Sequence, residues 1–321
     1  MIENKSYILN SNPPKVGTSN LFFDQSGGLG MQRYELTRYP IVKKLADKHE
    51  SLFWRPSEID MTADSKDYKE LTVAERHIFI SNLQRQILLD SVQGRAPSLA
   101  YLPIVTNEDA ERFINFWTMN EGIHSQTYTH IIRAVEPNPS WVFDQMNDIP
   151  EIVDCSIDVT KYYDDLIHKT HNLPWAHYET KRAFYLSMVA TNALEQIRFH
   201  VSFACTFSFG NRGKMTCSAR QVKLIRRDES MHCAFTQYIL NTIVKEDEDF
   251  KKIAAETKHE VDKIYNAVYQ QELEWIDYLF SKGSIVGLTK KELIAYLQYL
   301  TAHKMRLMKV DVPFDPPKEE P

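Results

Sequence analysis

Four segments of this chain place an acidic residue inside an apolar stripe at helical spacing. Positions three or four apart share one face of an α-helix, so an acid on such a stripe points toward the protein interior. In the first segment the apolar residues Ile80 and Ile87 are followed on the same face by Asp90. In the other three segments the corresponding acids are Glu121, Glu195 and Glu229. Because burying an unpaired carboxylate is costly, four such positions indicate a shared cationic partner in the core.

Two of these acids belong to Glu-x-x-His pairs, Glu121–His124 and Glu229–His232. Four carboxylates and two imidazoles suit two metal ions, each held by one histidine and two carboxylates, with the glutamates able to bridge. Single acids on two helices and Glu-x-x-His on two others form the general pattern of ferritin-like di-iron proteins, in which Asp90 takes one single-acid place. The pattern therefore predicts an all-α, ferritin-like helical bundle. Oxygen and nitrogen donors without thiolates favour iron or manganese over structural zinc.

The Glu-x-x-His spacing alone is weak evidence for a metal site. A third pair, Glu256–His259, lies in the charged stretch AAETKHEVDK, which is typical of a solvated helix face. Taken singly, each of the other two pairs suits an ordinary polar position as well as a metal site. The apolar residues that flank them, together with the set of four helices, favour the metal.

The composition agrees with a helical protein. Hydrophobic residues make up 43% of the chain and glycine only 10 residues, which disfavours a turn-rich β architecture. The net charge of -5 argues against a general nucleic-acid-binding surface. The four cysteines form no Cys-x-x-Cys pair and are predicted to be reduced thiols of a cytoplasmic protein. Neither a signal peptide nor a membrane-spanning run is recognisable, so export and membrane insertion are not expected.

Apolar periodicity and end signals predict eight helices and no clear strand. The best-defined start is at Thr72, which forms a capping box with Glu75. The predicted helices span about residues 36–52, 72–91, 106–133, 149–170, 178–209, 218–245, 248–282 and 290–308.

Both ends of the chain lack helical periodicity. Residues 1–30 contain Pro13, Pro14 and a glycine cluster at 27–30 without the Gly-Lys-Ser/Thr of a phosphate loop, so a flexible arm is predicted. Residues 311–321 are rich in proline and charge and are predicted to be a disordered C-terminal end. The domain between them, 31–310, is expected to contain the metal site.

Several residues near the acids have two interpretations. Tyr128, one turn beyond His124, is either a core tyrosine, which is the commoner case, or a redox-active phenol near the metals. Asp228 is equally compatible with a surface acid and with a carboxylate that accepts the outer N–H of a ligating histidine. Phe199 and Phe203 would line the site with groups that resist oxidation, although aromatic residues at this spacing are usually simple core.

The chain resembles the small, radical-generating subunit of class I ribonucleotide reductase over about residues 18–315. The matching segments are FWRPSEID (53–60), HIFISNLQRQILLDSVQGRAPS (77–98), NEGIHSQTYTHIIR (120–133), NALEQIRFHVSFACTFSF (192–209), LIRRDESMH (224–232) and LFSKGSIVGL (279–288). The resemblance implies a helical bundle that forms a homodimer and holds two iron ions, with manganese sharing the same ligands. The implied ligands of one iron are Asp90, Glu121 and His124. The implied ligands of the other are Glu195, Glu229 and His232.

The resemblance also implies roles around these ligands. Tyr128 matches the tyrosine that the metals and dioxygen oxidise to a stable radical. Trp54 and Asp228 match the inner end of an electron-transfer chain, in which Asp228 links Trp54 to His124. The apolar pocket that protects the radical is matched by Phe199, Phe203 and Ile225.

The family works with a separate large (alpha) subunit, which binds the ribonucleotide and reduces it with its own cysteines. Family members usually carry a C-terminal tail with a redox tyrosine and a terminal peptide that docks on that subunit. This sequence ends at Pro321, and no tyrosine follows Tyr299. We therefore expect the chain alone to support little or no nucleotide reduction, although its metal site should assemble. No nucleic-acid or membrane partner is expected.

Two other classes of protein fit parts of the pattern. A di-metal oxidase or monooxygenase component would use the same ligands for direct substrate oxidation, but Tyr128 and the FWRP segment argue against it. An iron-storage protein or a non-catalytic helical scaffold would not need Trp54, Asp228 and Tyr128 in register, and storage chains are usually much shorter.

Overall fold

The computed structural model describes residues 9–12, 15 and 17–321. Within these ranges the chain is helical and has no strand, which confirms the all-α prediction. Two isolated bridges pair Phe22 with Val105 and Ile285 with Leu288. Pro13 and Pro14 of the predicted arm lie outside the described residues. None of the described helices is both long and apolar enough to cross a membrane.

The α-helices of the described chain are numbered in order. They are α1 (Pro40–Ser51), α2 (Thr62–Glu70), α3 (Val73–Gln93), α4 (Ala96–Tyr101), α5 (Glu108–Val135), α6 (Pro139–Asp144), α7 (Pro150–Asn172), α8 (Tyr178–Ala193), α9 (His200–Asn211), α10 (Thr216–Glu246), α11 (Glu248–Glu256), α12 (Lys258–Leu279) and α13 (Lys290–Leu307). A π-helical turn, Leu194–Arg198, joins α8 to α9. Short 3-10 turns lie at Pro56–Glu58, Leu102–Ile104, Met146–Asp148 and Phe280–Lys282.

Most of the predicted helices are present with ends within a few residues of the expected ones, and two of them are divided. The segment 178–209 contains the π turn, and the segment 248–282 breaks at Thr257. The sequence did not predict α2, α4 or α6. The first of these, TADSKDYKE, has no apolar stripe, and the other two are only 6 residues long.

Both chain ends contain aromatic side chains that pack against the helices where the structure describes them. Leu21, Phe22 and Phe23 are buried, and Phe22 packs against Phe184 with ring centroids 4.5 Å apart, so this part of the arm is anchored by apolar burial. Residues 311–321 contain no helix, but Phe314 stacks on a core tyrosine of α12 with centroids 4.2 Å apart. Aromatic side chains in both segments supply contacts that their irregular composition conceals.

Side chains at the helix starts fix where the long helices begin. Thr72 and Glu75 form the predicted capping box of α3. The start of α10 is held by Asp64 of α2, whose carboxylate accepts hydrogen bonds from the backbone N–H groups of Cys217 and Ser218 at 2.9 and 2.6 Å. The unpredicted helix α2 therefore satisfies free donors at the start of α10.

The helices that carry the predicted acids pack side by side. α5 lies against α1 and α3, while α10 lies against α5, α8 and α9. Behind them a fully buried ion pair joins Arg85 of α3 to Glu272 of α12, and Trp275 lies 4.8 Å from the guanidinium. This arrangement brings four helical faces around a common interior, which is the geometry a metal centre between helices needs.

Candidate metal centre

The six predicted ligand residues come from four helical elements and meet in the interior. Asp90 lies on α3, and the two Glu-x-x-His pairs lie on α5 and α10. Glu195 lies on the π turn. All six side chains have 0% exposure, so no solvent is available to neutralise their charges.

The ligand atoms form two overlapping groups. The first group is Asp90, Glu121, His124 and Glu229, and the second is Glu121, Glu195, Glu229 and His232. Within each group the candidate ligand atoms all lie within 4.8 Å of one another. Glu121 and Glu229 belong to both groups, which is the arrangement expected of carboxylates that bridge two ions.

The two histidines turn the same nitrogen toward the shared glutamates. His124 Nδ1 lies 3.1 Å from Glu229 Oε1 and 3.3 Å from Glu121 Oε2. His232 Nδ1 lies 2.9 Å from Glu229 Oε2 and 3.2 Å from Glu121 Oε1. Two imidazole nitrogens and several carboxylate oxygens thus converge on one space.

The buried carboxylates of the cluster are stabilised by nearby positive charge. Burial raises the pKa of Asp90 well above its ordinary value, and the charge of Glu121 raises it further. Burial and the charge of Glu229 do the same for Glu195. Burial also opposes the charge on Glu229, but His232 and His124 outweigh it and hold the pKa of Glu229 well below its usual range. The carboxylates therefore compete for the available positive charge.

The two histidines show the opposite response. Burial opposes their protonation, yet the carboxylates, Glu229 first, raise the pKa of both His124 and His232 well above the ordinary value. Both oxygens of Asp90 are buried and accept no hydrogen bond from a described residue. Four carboxylates with two imidazoles and these unpartnered oxygens fit a pair of divalent cations, which would replace protons on the same atoms.

Residues around the acids hold them in place. The Trp117 indole donates a 2.8 Å hydrogen bond to Glu121 Oε1. Gln93 donates to Glu195 Oε1 and accepts a 2.8 Å hydrogen bond from the Tyr163 hydroxyl. Neither Trp117 nor Gln93 was predicted as a donor. Each nevertheless shares a helical face with a predicted ligand, because Trp117 lies four residues before Glu121 and Gln93 three residues after Asp90. That spacing was the available signal.

Tyr128 lies one turn beyond His124 on α5 and is completely buried. Burial, followed by the charges of Asp90 and Glu229, raises the pKa of its phenol well above the ordinary value. Its hydroxyl makes no hydrogen bond of ordinary geometry to a described residue. The phenol is therefore shielded from bulk solvent, neutral, and close enough to the cluster for the charges of Asp90 and Glu229 to act on it.

Trp54 and Asp228 meet behind His124. The Trp54 indole donates a 2.7 Å hydrogen bond to Asp228 Oδ2, which also lies 3.3 Å from His124 Nε2. Arg227 donates to the other oxygen of Asp228 at 3.2 Å. Asp228 is fully buried, so the surface-acid interpretation is wrong.

The remaining predicted residues lie in the same interior. Phe199, Phe203 and Ile225 are all buried, and the Phe199 and Phe203 rings stack with centroids 5.9 Å apart. In contrast, Glu256 and His259 are exposed and belong to different helices, which confirms the solvated interpretation of that pair. The four cysteines are unpaired, as predicted.

Comparison with known proteins identifies the family. The model of the family described as ribonucleotide reductase, small chain, matches residues 33–321. The chain belongs to this family. The ribonucleoside-diphosphate reductase subunit beta of Buchnera aphidicola subsp. Schizaphis graminum is 42% identical over 312 residues, which cover 92% of this chain and 82% of the relative.

Solved structures of ribonucleotide reductase small chains share the fold. The R2 subunit from Clostridium botulinum superposes with a TM-score of 0.81 at 21% identity, over 98% of this chain and 95% of that one. The dimanganese(II)-NrdF of Streptococcus sanguinis gives a TM-score of 0.73 at 20% identity, over 88% of this chain and 93% of that one. These likenesses support the ferritin-like helical bundle.

Proposed function

We propose that this chain is the small (beta) subunit of class I ribonucleoside-diphosphate reductase, an oxidoreductase that makes deoxyribonucleotides. Its role would be to generate a radical on Tyr128 and pass it to a large subunit, where the ribonucleotide is reduced. One observation carries the proposal: a fully buried phenol lies next to a buried cluster of four carboxylates and two imidazoles. Family membership alone would not assign these residues.

The metal ions would be held by the six residues of the cluster. Asp90, Glu121 and His124 would hold one ion, and Glu195, Glu229 and His232 the other, with Glu121 and Glu229 able to bridge. When bound with dioxygen, the metal pair supplies the one-electron oxidising power that a neutral tyrosine requires. Iron and manganese both suit these donors, and one structural neighbour is named as a dimanganese(II) protein. Metal analysis of protein from its native source distinguishes them.

Residues of this chain would accept the hydroxyl proton that Tyr128 loses when it is oxidised. Because its phenol pKa is raised, the tyrosine stays neutral and must lose its hydroxyl proton together with an electron. The Asp90 carboxylate is the neighbouring acceptor, since neither of its oxygens is engaged in a hydrogen bond to a described residue. Phe199, Phe203 and Ile225 would exclude water and reductants from the resulting radical.

The route out of the site would begin at His124. Asp228 accepts a hydrogen bond from Trp54 and lies within hydrogen-bond range of His124 through the same oxygen. This continuous contact supports Trp54 as the first aromatic relay toward the large subunit. We also infer a homodimer; sedimentation of the purified chain tests it, and a monomer at micromolar concentration would contradict it.

Electron paramagnetic resonance after aerobic iron loading of the reduced, metal-free protein tests the radical assignment. The wild-type chain should give a tyrosyl signal, and Tyr128→Phe should lose it at equal iron content. Tyr163→Phe is a matched control, because Tyr163 is also fully buried but hydrogen-bonds to Gln93 beyond Glu195. An unchanged signal in Tyr128→Phe would show that the radical resides elsewhere.

A further inference from the structure

The two imidazoles of the cluster differ in what lies behind them. His124 Nε2 has Asp228 within 3.3 Å, whereas His232 Nε2 is buried without a hydrogen bond to any described residue. A ligating histidine normally donates its outer N–H to an acceptor, which fixes the orientation of the ring. His232 therefore needs a partner that the cluster itself does not provide.

Two polar rings have centroids 5.0 Å from that of His232: Trp117, whose nitrogen can only donate, and His49, in the last turn of α1. His49 has 0% exposure, and its ring centroid lies 5.0 Å from that of His232 at an interplanar angle of 73°. Phe113 and Phe116 enclose the His49 ring, each with its centroid at 4.7 Å. The buried, aromatic surroundings oppose a charge on the ring, so the neutral imidazole is the form that fits this position. A neutral imidazole has one donor and one acceptor nitrogen.

Asn120 of α5 determines which nitrogen of His49 is the acceptor. Its side-chain Nδ2 lies 2.9 Å from His49 Nε2, and its Oδ1, like His49 Nδ1, is buried without a hydrogen bond to a described residue. A half-turn of the amide places Oδ1 against His49 Nε2–H. His49 Nδ1 is then free to accept the Nε2–H of His232. This assignment gives a partner to His232 Nε2, His49 Nδ1 and Asn120 Oδ1, and it moves the amide Nδ2 to the position that Oδ1 occupies now.

We propose that His49 is a positioning residue that accepts the outer N–H of His232, with Asn120 fixing its tautomer. Rotation of either ring about Cβ–Cγ, a torsion with a broad energy minimum, would bring the two nitrogens together from ring centroids that are 5.0 Å apart. The bond holds His232 with Nδ1 directed at Glu229, as Asp228 does for His124 on the other side. The proposal rests on the proposed metal-binding function, but not on the radical.

Manganese titration of the metal-free protein tests the proposal, with free Mn²⁺ measured from its electron paramagnetic resonance signal. His49→Leu should weaken one of the two bound ions roughly 10–100-fold and leave the other unchanged. His49→Gln keeps an acceptor and should bind both ions nearly as tightly as the wild type. Phe116→Leu removes packing from the same ring without removing the acceptor and should also retain both ions.

The outcomes separate the two proposals. If the wild type fails to bind two ions, the proposed metal function is wrong. If the wild type binds two ions and His49→Leu binds them equally well, only the role of His49 is wrong. If His49→Gln loses as much affinity as His49→Leu, the ring acts through its shape and not as an acceptor, which also overturns the inference. Thermal melting of each metal-free variant identifies any that fail to fold; His49→Ala then replaces His49→Leu as the variant without an acceptor, and His49→Asn replaces His49→Gln as the variant that keeps one.

Discussion

Trp54 and Asp228 are joined by a 2.7 Å hydrogen bond although 174 residues separate them in sequence. The accepting oxygen is also the one that lies 3.3 Å from His124 Nε2. A single carboxylate oxygen therefore contacts both the indole and the outer face of a candidate metal ligand. Mutation can remove the contact with Trp54 and the contact with His124 one at a time.

Asp228→Asn should weaken metal binding roughly 10–100-fold, because the neutral amide is a poorer acceptor for the His124 N–H. Trp54→Phe removes the indole bond, keeps the carboxylate, and should bind metal as the wild type does. Isothermal titration with Mn²⁺ compares the two variants. If Asp228→Asn and Trp54→Phe lose metal affinity equally, the carboxylate has no effect on His124 that is independent of its contact with the indole.

Phe203→Ala should shorten the lifetime of the Tyr128 radical, because the proposed pocket would admit a small hydrophilic reductant. Phe209→Ala is the matched control, since Phe209 is buried on the same helix but packs against Phe79. Each truncation should cost about 3–5 kcal/mol of folding stability. The decay of the paramagnetic signal after adding the reductant is the measurement. Equal decay rates in the two variants would remove Phe203 from the protective pocket.

Glu272→Gln should destabilise the protein by about 3–5 kcal/mol, because it leaves the fully buried Arg85 guanidinium without its counter-charge. The double variant Arg85→Met, Glu272→Leu removes both charges and should recover most of that loss. Urea unfolding of the metal-free chains gives the free energies. If Glu272→Gln is as stable as the wild type, water or another group must compensate the charge of the Arg85 guanidinium.

His200 should make the metal-free protein less stable as the pH falls from about 6.5. Burial, with Arg226 and Lys304 nearby, lowers its pKa to about 3, so the folded state binds fewer protons than the unfolded state between these values. Stability therefore rises with pH in this window, by up to about 1.4 kcal/mol per pH unit from this group. In His200→Gln the urea midpoint should change less between pH 6.5 and 5.5 than in the wild type. Parallel pH dependences in the two proteins would rule out this contribution.

Local sequence patterns predicted the fold and picked out six candidate ligand residues that meet in the buried interior, because both features depend on short spacings. Glu121 and His124 share a face by helical geometry alone, and Asp90 extends an apolar stripe. The same rule failed for α2, whose polar sequence becomes helical against α10 and is fixed by Asp64. Tertiary contact supplied what periodicity could not show.

Which outer group meets which ligand could not be read from spacing where the two come from distant parts of the chain. His49 and Asn120 are 71 residues apart, and Gln93 and Glu195 are 102 residues apart. No spacing rule connects such residues, since their meeting depends on how whole helices pack. Residue type indicated which groups could bind metal, whereas packing determined which groups orient them.

The π turn between α8 and α9 holds one residue more than ordinary α-helix would need there. A π turn accommodates one extra residue in a helix that otherwise continues. Deleting a residue that is not a candidate ligand, such as Ile197, would let this turn close into ordinary α-helix, so Phe203 would keep nearly its present direction. The same deletion within α8 would rotate everything after it by about 100° and turn Phe203 away from its present neighbours, even though its own codon is untouched. A length change in α8 is therefore a more severe lesion than the same change in the π turn.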